Sequence, residues 1–454
     1  MPSAVADAVS ARGATPRLSA LNVCLLAGCL GIALSSLNLP IPGGDTKPLI
    51  ALAWLPLFVV LAGRVVVRLR ASFPELVLVG LLVYGVLWLP VVIARGGDGD
   101  LVEYVVRMLS LTAGISVAIV AANIPDERTL GIVVTLLLVG YGGVLAYAML
   151  VQVPATLDLG PTRELDLQIR GLLLNRANNV KRVTMLADEP SFGAYQMAVA
   201  VLIAVIFRRL VPRRLGRFVI AAGLIGLVFA KSITAVVMFA GAFGALVLAI
   251  RSQALRWAVA GGGLLAVGAA GTLLLTTFDS YAPVARIAAI GADASANARW
   301  LLFKSTWVGG VESGYLGLGP GQYSQRWNEF ADFDASVLAR LPEQLQVTLF
   351  KDNKVKPFSV FGGVFAEFGA AALALLVAMF GWILWRLWSL RPYPSMPAAV
   401  AVGVIVLSLL SAYPISLPDM WLLLGLLVAH MRLSPAHPRT ASTGALVPRP
   451  TEAP

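Results

Sequence analysis

Apolar runs near or above the ~20 residues that a helix needs to cross a lipid bilayer recur from one end of the chain to the other. Polar interruptions divide the sequence into runs at 20–38, 49–63, 76–94, 104–122, 130–152, 192–210, 217–230, 233–250, 256–277, 360–385, 397–412 and 418–432. Lipid cannot satisfy the polar groups of an open backbone, so each run is predicted to be a helix. The pattern predicts an all-α polytopic membrane protein with about twelve spans. An N-terminal tail (1–17) precedes a five-helix scaffold (18–152), and a polar loop follows at 153–191. Helices six to nine occupy 192–277, a larger polar loop 278–358, and the last three helices 359–433. The tail at 434–454, rich in Pro, Thr and Ala, is expected to be disordered.

Composition turns that pattern into a statement about solvent. Of 454 residues, 58% are hydrophobic and 13% charged, and the mean hydropathy is +0.82. Soluble domains carry about 25% charged residues. Most of this chain is therefore expected to lie in lipid. The few cations set the orientation. Alternate gaps carry Arg64, Arg68 and Arg70, the RRLVPRRLGR cluster at 208–217, Arg251 and Arg256, Arg386 and Arg391, and Arg432; this side is expected to be cytoplasmic, with both termini on it. The net charge of +11 is then mostly a topology signal and no nucleic-acid footprint. The N-terminus does not read as a cleavable signal, because its apolar run is long enough to span. Cys24 and Cys29 both fall inside the first span, which excludes a disulfide or metal framework, and neither His430 nor His437 falls in an outer loop.

Candidate chemistry gathers where polar segments meet spans on the outer side. RVTMLADEPSFGAY (182–195) sets Arg182, Asp188 and Glu189 just before a helix start at Pro190-Ser191. The loop before it carries Arg163, Arg170, Arg176, Lys181 and Arg182 against five acids. Pairing with those acids is one explanation of outer positive charge, and an anionic ligand at the membrane surface is the other. Lys231, Ser232 and Thr234 break the apolar stretch 217–250. Its first piece, of about 14 residues, rises only ~21 Å, so these polar groups are expected below the membrane surface, facing protein or a cavity; a hairpin apex with Lys231 reaching outward is the alternative. In 294–311, Trp300, Leu301, Trp307 and Val308 are expected to lie on the membrane while Arg299 and Lys304 face water. The glycines of GYLGLGPGQYSQRWNEF (314–330) lack the Lys-Ser/Thr of a nucleotide loop and are expected to bring backbone close to a ligand. Glu367, an acid inside the tenth run, is either functional or the partner of a buried Arg.

The order of these pieces resembles the bacterial O-antigen and exopolysaccharide polymerase and O-antigen ligase superfamily. Arg182 stands before Glu189-Pro190-Ser191-Phe192-Gly193, a Lys231-Ser232-Ile233-Thr234 break follows, Arg299-Trp300 precedes Gly317-Leu318-Gly319-Pro320-Gly321-Gln322-Tyr323, and Glu367-Phe368-Gly369 opens the next span. The likeness covers roughly 170–375. The ligase branch has a His-Asn where this chain has Lys356-Pro357-Phe358-Ser359, which favours the polymerase branch.

The resemblance implies a GT-C-like glycosyltransferase of the bacterial inner membrane, with two periplasmic loops and a periplasmic site. It implies undecaprenyl-diphosphate-linked glycans as substrate and a chain-length-regulating membrane protein as partner. Under it, Arg182, Arg299 and Lys231, backed by Arg170 and Arg176, hold the diphosphate. Glu189 or Glu367 takes the acceptor's proton, and Tyr323, Ser232 and Ser191 contact sugar. No cofactor and no metal are expected, since Arg side chains can fill a cation's role. An O-antigen or protein O-oligosaccharide ligase and a lipid-linked-sugar flippase or transporter are the alternatives; the lack of an internal repeat counts against the last.

Overall fold

The computed structural model describes residues 72–95, 98–174, 182–186, 190–230, 294–330, 359–389 and 418–433, with scattered positions between 232 and 262 and Pro357. The predicted spans at 20–38, 49–63 and 397–412, and nearly all of those at 233–250 and 256–277, lie outside these residues. Among the described residues the chain is all-helical, with no strand. Among these residues, four stretches are long and apolar enough to cross a membrane: Phe73–Arg95, Leu101–Ala122, Glu127–Thr156 and Val360–Leu387.

Helix boundaries follow local chemistry. At the start of α1 (Phe73–Leu87) the Ser72 backbone N–H donates to Glu75 Oε2 at 2.7 Å, with Pro74 in the first turn. The helix breaks at Trp88 and resumes as α2 (Leu89–Arg95), because Pro90 lacks the N–H that a continuous helix needs there. Beyond α3 (Asp98–Ala122), Asp126 caps α4 (Glu127–Tyr147), its Oδ1 accepting the Thr129 N–H at 2.8 Å. That backbone donor holds the Asp126 carboxyl below its ordinary range. The run continues past Tyr147 through a π turn, Ala148–Gln152, and a last turn, Val153–Thr156, next to Pro154. Leu159 N–H then returns to the Pro154 carbonyl at 2.9 Å, and Asp158 and Gly160 adopt positive φ, so the chain reverses into α5 (Thr162–Leu174).

The remaining described helices are α6 (Pro190–Ile206), α7 (Arg213–Ala230), α8 (Ala294–Glu312), α9 (Tyr323–Phe330), α10 (Val360–Ser389) and α11 (Pro418–Leu433). α6 and α7 lie side by side against α4, α11 packs along α3, and α10 packs between α1 and α8. Lipid gives helices little reason to associate except close packing, so small residues sit at the contacts. Gly114 of α3 leaves the space that Trp421 of α11 fills, and Gly425 lies against the Ala118 carbonyl. At one end Arg432 ties three helices together: it pairs with Glu75 at 2.7 Å and donates to the Ala122 carbonyl at 2.9 Å and to Asn123 Oδ1 at 3.1 Å.

One expectation is corrected here. Leu301 and Trp307 of α8 do not form a membrane-facing side. Leu301 is buried among Leu318, Tyr323, Trp327 and Phe330, and Trp307 packs on Phe365 of α10 with ring centroids 5.1 Å apart. Only Trp300 of the pair Trp300–Leu301 is exposed. The hydrophobic side of α8 finds protein before it finds lipid.

Candidate functional site

The polar segment Arg182–Leu186 is pinned across the ends of three helices. Gln152, in the π turn, accepts the Thr184 and Met185 N–H groups at 3.2 and 2.9 Å and donates to the Met185 carbonyl at 2.7 Å. Val183 N–H donates to the Phe229 carbonyl of α7 at 3.2 Å, and Arg170 Nη2 donates to the Arg182 carbonyl at 3.3 Å. Val183, Thr184 and Met185 are fully buried, while Arg182 is half-buried. Gly193, in the first turn of α6, explains how the segment fits: a Cβ there would collide with the Thr184 carbonyl. The glycine of the EPSFG motif therefore serves a close backbone approach.

Arg170 is itself oriented. Its Nε lies 2.9 Å from Asp166 Oδ2, both side chains buried, and Asp166 accepts from Tyr147 at 2.6 Å and Gln152 at 3.3 Å. A second, exposed pair joins Arg163 and Asp158 at 3.6 Å. Pairing with local acids thus accounts for Arg163 and Arg170. Arg170 positions the Arg182 backbone and offers its charge to Asp166. Ser232 is buried, one residue beyond Lys231, near the α7 end that Val183 covers.

A second assembly forms around Glu367. α10 is broken at Gly369 (φ 81°, ψ −178°), and the glycine-rich loop fills the break. Leu318 and Gly319 N–H donate to the Ala366 and Glu367 carbonyls at 2.8 and 3.0 Å, and Ala370 N–H donates to the Tyr315 carbonyl at 2.9 Å. Tyr84 of α1 donates to the Leu316 carbonyl at 2.7 Å, and Arg95 of α2 to the Leu318 carbonyl at 2.8 Å. Gly317 (φ 89°) has room for no Cβ, since one would stand 2.6 Å from the Glu367 carbonyl. Each close approach of these glycines is to protein: Gly317 to the backbone of the broken helix, whose freed polar groups need partners, Gly319 to the Trp88 ring, and Gly321 to the Glu103 backbone of α3.

The Glu367 side chain, 0% exposed, pairs with Arg107 of α3 at 3.1 Å. Tyr323 is equally sealed, sharing a 2.5 Å hydrogen bond with Ser305. Burial pushes its phenol well above the ordinary range, so it stays a proton donor.

The structure thus brings Arg170 and Arg182 together, with Ser232 nearby, and sets Glu367 and Tyr323 in a separate buried cluster. Glu189, Lys231 and Arg176 lie outside the described residues; Ser191 and Arg299 have described backbone only, in α6 and α8. Two functional candidates escaped the sequence reading. Arg107 is one. The other is Asp419 in the first turn of α11, fully buried and accepting from Tyr141 of α4 at 2.7 Å and Gln196 of α6 at 3.4 Å. Both are charges inside apolar runs, the signal that could have found them. Among the described residues no group of three or more His, Cys, Asp or Glu is placed to hold a metal ion. No protein-family model matches the chain, and no curated protein or solved structure matches it.

Proposed function

We propose that the protein polymerises undecaprenyl-diphosphate-linked oligosaccharide repeat units into O-antigen or exopolysaccharide, as a GT-C-like glycosyltransferase with about twelve spans in the bacterial inner membrane. The observation that carries this reading is the rigid seating of Arg182–Leu186 across the ends of α4, α6 and α7 through Gln152, Arg170 and Phe229. A substrate whose leaving group carries two phosphates needs a fixed cation at the membrane–water boundary, and Arg binds phosphate with a planar fork that never loses its charge.

In this reading the hydroxyl oxygen of the acceptor sugar attacks the anomeric carbon of the donor. The bond from that carbon to the diphosphate oxygen breaks, and its electron pair leaves with the lipid diphosphate. Arg182, Arg299 and Lys231 offset the growing negative charge. The hydroxyl proton passes to a carboxylate. We assign that role to Glu189, because Glu367 is enclosed and already neutralised by Arg107. A chain-length-regulating membrane protein fits as partner, and the reaction proceeds without a metal; undiminished activity in a chelator is the expected outcome.

Arg182→Ala is expected to lower polymerisation about 100–1000-fold, the typical effect of removing one charge-stabilising donor from a dry site. Single repeat units should then accumulate on the lipid outside the membrane. Unchanged polymer ladders would remove Arg182 from the site. In a deletion strain, finished chains held on lipid would identify a ligase, and repeats trapped inside would identify a flippase.

A further inference from the structure

We propose that α5 and the turn before it lie within the lipid boundary at the membrane surface, with Leu157, Leu159 and Leu165 facing phospholipid acyl chains. A polar outer loop at 153–191 is what the sequence leads one to expect there. Three observations point elsewhere.

The first is depth. Asp166 of α5 is bonded by Tyr147 and Gln152. Both donors belong to the apolar stretch Glu127–Thr156, which is long enough to cross a membrane. At 1.5 Å per residue they lie roughly 6–13 Å below its last residue. α5 therefore stands beside the final turns of a span, where interfacial helices bury their apolar side about 5–10 Å into the boundary.

The second is the partition of its faces. At 100° per residue, Asp166 and Arg170 share one face, which is buried in the protein with its charges paired at 2.9 Å. Glu164 and Gln168 share the opposite, exposed face. Leu165 lies between the two, and it is exposed by 45%. A helix whose polar residues are satisfied inward and upward, and whose leucine is left at the flank, suits a lipid boundary at that flank.

The third is continuity. Leu150, in the π turn of the same candidate span, is 73% exposed, and Leu157 and Leu159 beyond it are exposed as well. Leu150 and Leu157, seven residues apart on one helical run, fall on the same side of it, so lipid that covers Leu150 lies next to the turn that leads into α5. The exposed Arg163–Asp158 pair sits at its rim, suited to the headgroup layer. The proposal depends on α4 crossing the membrane and on nothing about glycosyl transfer. It also sets the Arg182 segment, held by Arg170 and Gln152, at the depth of headgroup phosphates.

The test uses the full-length protein in phosphatidylcholine vesicles, with Cys24 and Cys29 replaced by Ser. Nitroxide labels are placed singly on Leu157→Cys, Leu159→Cys, Leu165→Cys, Glu164→Cys and Gln168→Cys. At the three leucine positions, oxygen dissolved in lipid is expected to collide with the label more than a water-soluble nickel chelate does; at Glu164 and Gln168 the order should reverse. Higher nickel access at the leucines would overturn the proposal in favour of a loop in water. Low access to both reagents would overturn it in favour of another part of the chain, or a second copy, covering them. Leu165→Trp gives an independent reading without the label, taken as the difference in fluorescence from the parent protein with its ten native tryptophans. Phospholipids brominated near the headgroup should quench it more than those brominated at the chain end, and an absence of quenching by either would sink the idea.

Discussion

Glu367 and Arg107 are the residues whose chemistry the structure changes most. Separately, each is a charge inside an apolar run; together they form a buried ion pair at a helix break. Removing one partner of such a pair leaves the other charge uncompensated, at a cost of about 3–5 kcal/mol, whereas replacing both is often nearly neutral. Arg107→Met alone and Glu367→Gln alone are therefore expected to lower the melting temperature sharply, and the double variant to recover most of the loss. Thermal unfolding in detergent measures this. Polymer synthesis in the double variant separates the roles further: if it persists, Glu367 is a latch for the glycine loop, and if it fails while stability returns, Glu367 handles a proton and our assignment to Glu189 is wrong. Asp419 follows the same logic, since Tyr141 and Gln196 place two of its hydrogen bonds on two other helices.

Among elements, α4 and α10 show opposite solutions to one problem, how a long apolar helix ends or breaks. α4 begins conventionally on Asp126. Asp126→Ala is expected to cost about 0.5–2 kcal/mol. Because the Thr129 backbone bond lowers the carboxyl's pKa in the folded state, the cap's contribution is present above the unfolded value of about 3.9 and fades as pH falls through the lower folded value. The variant's stability difference should vanish at the acid end of a pH series; a difference that persists there would place the effect elsewhere than the charge. α10 breaks in mid-course, and its freed carbonyls are met by Leu318 and Gly319. Gly369→Ala forces a side chain into a positive-φ position hard against Tyr315 and Leu316 backbone. Loss of loop docking is expected, seen as faster proteolysis within 313–322.

For the whole molecule, the described core joins helices from both halves of the chain, α3 with α11 and α1 with α10. No half is therefore expected to fold alone. The alternation of cationic gaps makes a separate prediction. In right-side-out vesicles, a membrane-impermeant maleimide should label single cysteines at Gly97 and Glu312 but not at Arg128, Arg209 or Arg439. Labelling at Arg209 would reverse the orientation and move the proposed site to the cytoplasm.

Among the described residues, sequence alone determined the all-helical class and, to within a few residues, the four stretches long and apolar enough to cross a membrane. Hydropathy is a local sum, and no tertiary contact has to be known to evaluate it. It also singled out Gly193 and Glu367. Tertiary structure alone decided what they do. That Gly193 clears a path for Thr184, that Glu367 meets Arg107, and that the loop glycines repair a broken helix are pairings between residues 9 to 260 positions apart. A buried charge or an open backbone carbonyl must be satisfied by whatever the fold brings to it, and one-dimensional periodicity carries no trace of which partner that will be.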